Sequence, residues 1–223
     1  LWFFKTIFVF IVFLNDIWSM TSIVTGDIIN SKSVKLPKAY LEQIRATLQV
    51  LGKEQTDWEI FRGDSFQIEI KDPLKAFWQC VYIKACLKTM KELDARMAIG
   101  IGEKTYEAKT ISEANGSAFI RSGEIFEKLK REKTNLLINT GNEKLDKELN
   151  VYFQLTLIAM DYWTPNSAEI VKLSMENPET NQQQLGELIG IKQNTVSERQ
   201  KRASLSQLAD FNQIFQHKIK SIL

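Results

Sequence analysis

The chain of 223 residues carries a single histidine, two cysteines and four prolines. One histidine, His217 near the C-terminus, excludes His-rich metal sites and argues against triads or acid–base pairs built on imidazole. The cysteines, Cys80 and Cys86, fall in one expected helix. Their six-residue spacing is a rise of about 9 Å, beyond disulfide reach. They read as buried small hydrophobes of a reducing compartment. Charge of one sign is also scarce. Lys and Arg number 29 against 27 Asp and Glu, a net charge of +2, so binding to nucleic acid or membrane has to come from a local patch. With 44% hydrophobic and 25% charged residues, disordered and fibrous classes are excluded. The length allows one large domain or two small ones.

A long apolar run is missing too. Trp2 to Leu14 (WFFKTIFVFIVFL) is the most apolar stretch, but it includes Lys5 and falls short of the ~20 residues a spanning helix needs. Nothing basic precedes it, and Trp18 stands where a signal peptidase wants small residues. The chain starts at Leu1, and Met20 is followed at once by a strand-like run. Residues 1–19 are therefore expected not to belong to the natural protein, with a membrane-associated tail or a signal peptide as alternatives. No stable membrane insertion is expected.

From Thr21 the pattern alternates. Ser22 to Ile29 reads as a buried strand, and Pro37 opens a helix with Tyr40, Leu41, Ile44, Leu48 and Leu51 at helical spacing. Trp58–Phe61 and Phe66–Ile70 are strands about a Gly63–Asp64 turn of expected type II′. The next helix runs from Asp72–Pro73 to about Leu93. In the strand Arg96 to Gly102, Met97, Ile99 and Ile101 face one way, while Ala98, Gly100 and Gly102 leave room for backbone or ligand on the other. A helix from Gly116 to Lys130 and a strand from Asn135 to Asn139 complete a βαββαβαβ order. Its first six elements have the ferredoxin-like arrangement, so an α+β fold is expected: an antiparallel sheet with helices on one face. The expected units are residues 20–140, a connecting helix at 141–162, and an all-α domain at 163–223.

In that last part, Thr164–Pro165 is a helix start with threonine as N-cap and proline at N1. Leu185, Leu188 and Ile189 form an apolar face, Gly190 breaks the helix, Ile191 returns to the core, and Val196 points inward from a new helix beginning at Gln193. Gly186 sits at the expected crossing. This spacing is a helix-turn-helix pattern, and it resembles the trihelical units of LuxR-type regulators and sigma-factor region 4. The second helix carries Lys192, Gln193, Asn194, Thr195, Ser197, Arg199, Lys201 and Arg202. Its amides and hydroxyls suit base edges and its cations suit phosphates, so double-stranded DNA is the expected partner. Arg199–Gln200 stands where such helices carry a second apolar anchor. A small protein-interaction domain with a solvated basic face is the alternative. One module binds weakly, so a homodimer is expected, paired through the helix from Leu145 to Trp163.

The second constellation is acidic. Asp27 leaves the first strand and Asp64 lies at the hairpin tip; in a ferredoxin-like sheet these points converge on one edge. Two carboxylates about 4 Å apart repel by about 4 kcal/mol at an effective dielectric of 20, which favours a shared proton or a divalent cation. Oxygen-only ligation points to Mg²⁺ or Mn²⁺. Gly26–Asp27–Ile28, Arg62–Gly63–Asp64–Ser65–Phe66 and Arg96–Met97–Ala98–Ile99–Gly100 resemble class III nucleotide cyclase domains and, more distantly, polymerase palms. That resemblance implies a metal held by Asp27, Asp64 and the Ile28 carbonyl. Ile60 stands where cyclases read the purine with lysine, and Ile120 and Glu124 where they hold the transition state with Asn and Arg. Arg62, Arg121 and the helix N-terminus at Gly116–Ser117 are the alternative phosphate ligands.

Thr25–Ser31 (TGDIINS), Arg62–Phe66 (RGDSF), Ala98–Glu103 (AIGIGE), Ser112–Phe119 (SEANGSAF) and the Trp163–Glu169 segment together resemble the SatD family of bacterial proteins. The resulting expectation is a cytoplasmic DNA-binding regulator whose cyclase-like domain senses a nucleotide or phosphorylated ligand. A metal-dependent nucleotide enzyme is the alternative, and an interaction protein with both sites vestigial is a third reading.

Overall fold

Strand β1 (Met20–Ile29) is the centre of the sheet, because its β-branched, almost wholly buried run has neighbours on both edges. The computed structural model describes residues 20–30, 37–91 and 93–223; the expectations for residues 1–19 lie outside them. After β1 come α1 (Pro37–Leu51), β2 (Trp58–Phe61), β3 (Ser65–Ile70), α2 (Ala76–Lys88), β4 (Asp94–Glu103), α3 (Ser117–Glu132) and β5 (Leu136–Asn139). Beyond β5 the chain is helical, with α4 (Glu143–Met160), α5 (Pro165–Glu176), α6 (Gln182–Ile189), α7 (Gln193–Arg202) and α8 (Leu205–Lys220). The strand order is β2-β3-β1-β4-β5. β1 runs antiparallel to β3 and β4, whereas β5 runs parallel to β4.

Two expectations about the sheet are corrected. It is mixed rather than antiparallel, because β5 returns through the crossover helix α3 and so joins β4 in parallel. Its helices also lie on both faces. Val24, Ile28, Phe66, Ile68, Met97, Ile99 and Ile101 share the face that packs on α1, α2 and the C-terminal helices. The other face carries Ala98 and Leu137 against Ile125 and Leu129 of α3. Helix α3 lies so close that a Cβ at Gly100 would collide with the Ala118 carbonyl and the Ser122 amide. The space left by the glycines is filled by backbone, with the Ser122 hydroxyl donating to Thr25 Oγ1 at 2.7 Å.

The hairpin differs as well. Phe61 pairs with Ser65, so its loop is the three residues Arg62–Gly63–Asp64 instead of a two-residue type II′ turn. Arg62 and Gly63 take positive φ, 55° and 83°. The extra residue lets the Asp64 carbonyl accept from the Ile28 amide at 2.8 Å, which extends the β1–β3 ladder and seats Asp64 beside the end of β1.

The helices after β5 share the main core of the sheet. Phe77 of α2 stacks on Phe153 of α4 at 5.4 Å between ring centres and meets Phe211 of α8 edge-on at 4.7 Å. Trp163 Nε1 donates to the Ala203 carbonyl at 3.0 Å. A charged knot ties the same elements. Lys84, 1% exposed, reaches Asp94 at 2.5 Å and Asp161 at 2.7 Å, and Lys88 reaches Asp94 at 3.0 Å. Burying two ammonium groups is tolerable only because both are paired. On the β5 edge, the Asn150 side chain accepts from the Ile138 amide at 2.8 Å and donates to its carbonyl at 3.0 Å. One carboxamide thus stands in for a neighbouring strand and blunts that edge.

Candidate functional site

Two surfaces carry the residues singled out from the sequence. The first is a cleft of about 770 Å³ at one rim of the sheet. Sheet register builds it: Asp27 faces Arg96 across β1 and β4, and Asp64 arrives from the hairpin. Ile28 lines it from β1 and Asn30 from just beyond, Lys130 from the last turn of α3 and Lys133 from its C-cap, and Asn135 from the approach to β5. Asp27 and Asp64, far apart in sequence, therefore open on one cavity together with Ile28.

The electrostatics of this cleft add a partner that sequence reasoning missed. Arg96 Nε donates to Asp27 Oδ1 at 2.9 Å and Nη2 to Oδ2 at 2.6 Å. Both carboxylate oxygens are thus held by one planar fork, a strong charge-assisted geometry. Lys130 and Lys133 were missed too; they come after the last buried residue of α3 and need the fold to bring them to Asp27. The lining now holds two carboxylates and three cations. Among the described residues there is no group of three or more His, Cys, Asp or Glu side chains able to hold a metal ion. A divalent ion here would be held by Asp27 and Asp64, and it would have to displace Arg96 from Asp27.

The other expected phosphate ligands do not join this cleft. Gly116 and Ser117 pack at the opposite end of β4, where Ser117 Oγ accepts from the Glu103 amide at 2.9 Å and a Cβ on Gly116 would strike the Glu103 carbonyl. Arg96 and Glu103 lie on the order of 23 Å apart along the strand. Arg121 is spent locally, donating to the Ile101 carbonyl at 2.6 Å. Arg62 is exposed at the hairpin tip and does not line the cavity. Ile120 and Glu124 are on the solvent side of α3, and Ile60 is on the edge strand β2.

The second surface is helical. Asn181 caps α6 in a reciprocal box with Gln184, and Gly190 closes it in the left-handed region at φ 68°. Gly186 is packed so tightly that a Cβ would lie 2.5 Å from the Ile191 carbonyl. Val196 of α7 is fully buried against Ile170 of α5 and Leu185 of α6. Leu188, expected in the apolar face, instead points to solvent. Val196 is the sole buried residue of α7, so polar ties complete its seat. Arg199 bonds Glu169 of α5 at 2.8 Å, and Gln200 bridges Gln182 and Ser174 at 2.9 and 3.0 Å. Where an apolar anchor was missing from the sequence, these bonds replace it.

That packing decides which side chains of α7 stay outside. Lys192, Gln193, Asn194, Thr195, Ser197, Lys201 and Arg202 are exposed; Arg199 is half-buried in its ion pair. The stretch 192–202 holds four cations against one carboxylate, Glu198. The thiols of Cys80 and Cys86 take no part in either surface. Both are buried and free, and burial pushes their ionisation up, which leaves them inert.

The chain matches no family model, no curated protein and no solved structure. No helix among the described residues is long and apolar enough to cross a membrane.

Proposed function

We propose that this protein is a cytoplasmic DNA-binding regulator of the SatD type, with α5–α7 as its helix-turn-helix and the rim cleft as the seat of a nucleotide or phosphorylated ligand. The observation that carries this reading is the seating of α7. A tight α6–α7 crossing at Gly186, one buried valine and the Arg199 and Gln200 bonds hold the helix by a single side, leaving amides, hydroxyls and cations outward along the other. A helix held in this way fits a major groove, with Gln193, Asn194 and Thr195 at the leading end for base edges and Lys192, Lys201 and Arg202 for phosphates. The order of the first four strands accords with a ferredoxin-like, cyclase-like domain.

For the cleft, the lining supports a ligand carrying both kinds of charge. Lys130 and Lys133 suit phosphate oxygens, while Asp27 and Asp64 suit a Mg²⁺ or Mn²⁺ that enters with the phosphates. A metal-dependent nucleotide enzyme is the second reading, and the convergence of the two carboxylates on one cavity favours it. Calorimetry with a nucleotide panel and Mn²⁺ separates the two. Binding heat lost in Asp27→Asn with Asp64→Asn supports sensing, turnover promotes the enzyme, and heat unchanged by both substitutions removes the cleft from the account. For DNA, selection from a random duplex pool should return a motif that relaxes in Asn194→Ala. A pool with no enrichment would overturn the regulator reading.

A further inference from the structure

Helix α4 buries Leu149, Phe153, Leu157 and Met160, and these are the residues that join the main core. A second apolar row runs along its outer side. Val151, Leu155, Ile158 and, just past the helix end, Tyr162 are 53%, 58%, 67% and 84% exposed. Their steps of four, three and four residues are the spacing by which one helix lays a seam against another. Beside the row is a groove of about 550 Å³, whose far wall is Ser204, Gln207 and Leu208, with Arg202 at the end of α7. Four large apolar side chains in one row form a patch of the kind that marks an interaction surface.

We propose that this row is the homodimer seam of the protein and that two copies of α4 meet in it antiparallel. Charge selects the occupant and its direction. No charged residue lies within the row, Gln154, Thr156 and Ala159 flank it, and Arg202 stands only at the groove's far side, so two copies of the row itself meet without like-charge repulsion. A parallel pairing would set Lys144 against Lys144, and the Glu143–Lys147 ion pair against its own copy, at the exposed start of the helix. An antiparallel two-fold between Leu155 and Ile158 places Leu155 opposite Ile158 and Val151 opposite Tyr162, and carries the lysines to opposite ends. This is an isologous contact, closed at two copies. Covering the row and the groove edge in both copies removes on the order of 1,000 Å² from water, at the lower bound for a specific interface. The pair is therefore a weak one that neighbouring DNA half-sites would tighten. Because Arg202 borders the groove, the two-fold axis runs beside the end of α7 and sets the spacing of the two reading helices. The seam deepens the regulator reading, but its mass is measured without DNA, so either can fail alone.

The test is the mass of the full chain in solution, by sedimentation at concentrations up to tens of micromolar. Wild type should shift from monomer to dimer as concentration rises, and Leu155→Lys with Ile158→Lys should stay monomeric with an unchanged circular dichroism spectrum and melting profile. Val50→Lys, at an exposed apolar position on α1, should dimerise like wild type. A wild type that is monomeric throughout, or a dimer unaffected by the double substitution, would overturn the proposal. Should the lysine variant fail to fold, cysteine cross-linking decides, since the native thiols are buried. Under mild oxidation an equimolar mixture of Val151→Cys and Tyr162→Cys should form the mixed disulfide, and neither variant should cross-link with itself. Self-linking without the mixed product would contradict the antiparallel seam.

Discussion

The rim cleft and the face of α7 are both polar surfaces, yet they are assembled in opposite ways. The cleft draws on β1, the hairpin, β4, the end of α3 and the approach to β5, so its residues span Asp27 to Asn135. The face of α7 comes from eleven consecutive positions, 192–202. Their charges differ in the same sense. In the cleft, carboxylates sit among cations, and the one at Asp27 is already gripped by Arg96; on α7, the cations outnumber Glu198 and mostly face water. A compensated pocket suits a small ligand that brings charges of both signs, whereas an uncompensated ridge suits a polyanion.

The two surfaces should part most sharply at Gly186. Valine there would drive a side chain into the Ile191 carbonyl, an overpacking cost of about 1–3 kcal/mol or more. Duplex binding should be abolished while calorimetric binding at the cleft survives; loss of both would mean that the two surfaces are not separable. Next in size is Arg96→Ala, which leaves the Asp27 carboxylate at the cleft without its fork. Removing charge-assisted bonds costs about 1.5–3 kcal/mol, read as a lower denaturation midpoint. The freed carboxylate should also bind Mn²⁺ more tightly than wild type, and weaker Mn²⁺ binding would remove the metal from the cleft.

A finer contrast lies within α7. Lys201→Ala should reduce the salt dependence of duplex binding by about one phosphate contact. Arg199→Ala should leave that slope nearly intact and instead lower stability, because its partner is Glu169. Equal slopes for the two variants would contradict the division between seating and reading. Smallest is a control at Asp57, whose partners are Lys53 and Lys71 and which lines neither surface. Burial pushes its carboxyl up, but the Lys53 backbone amide and the Lys71 ammonium outweigh this and hold it below its ordinary value of 3.8. Its contribution to stability is present above that value and fades as the pH falls below it. In acid titrations monitored by circular dichroism, Asp57→Asn should flatten this part of the curve and leave both binding activities unchanged.

The same contrast governs what could be read in advance. Alternation in Phe66–Ile70 and the helical spacing from Tyr40 to Leu51 placed β3 and α1, and the Thr164–Pro165 and Gly190 signals bracketed α5 and α6, because each is local. Asp27 and Asp64 line one cavity, because β1 ends beside the hairpin loop that carries Asp64. Arg96 was overlooked as a ligand of Asp27 because only the β1–β4 register sets them face to face. Gly116, Ser117 and Arg121 lie at the other end of β4 from Asp27, and nothing local in the sequence says how far along β4 their helix begins. Gly100 and Gly102 announced a close approach without saying what approaches; it is α3. Arg199 and Gln200 looked like a departure from the helix-turn-helix pattern because their partners, Glu169, Ser174 and Gln182, lie 18 to 30 residues away.

In the proposed function the outer face of α7 binds duplex through phosphates. The most direct measurement is the affinity of the full chain for a short duplex across a salt series. With about four phosphates contacted per module, the log–log slope should be near −4, and near −8 for a dimer on paired half-sites. A flat salt dependence, or no binding to any duplex, would contradict it.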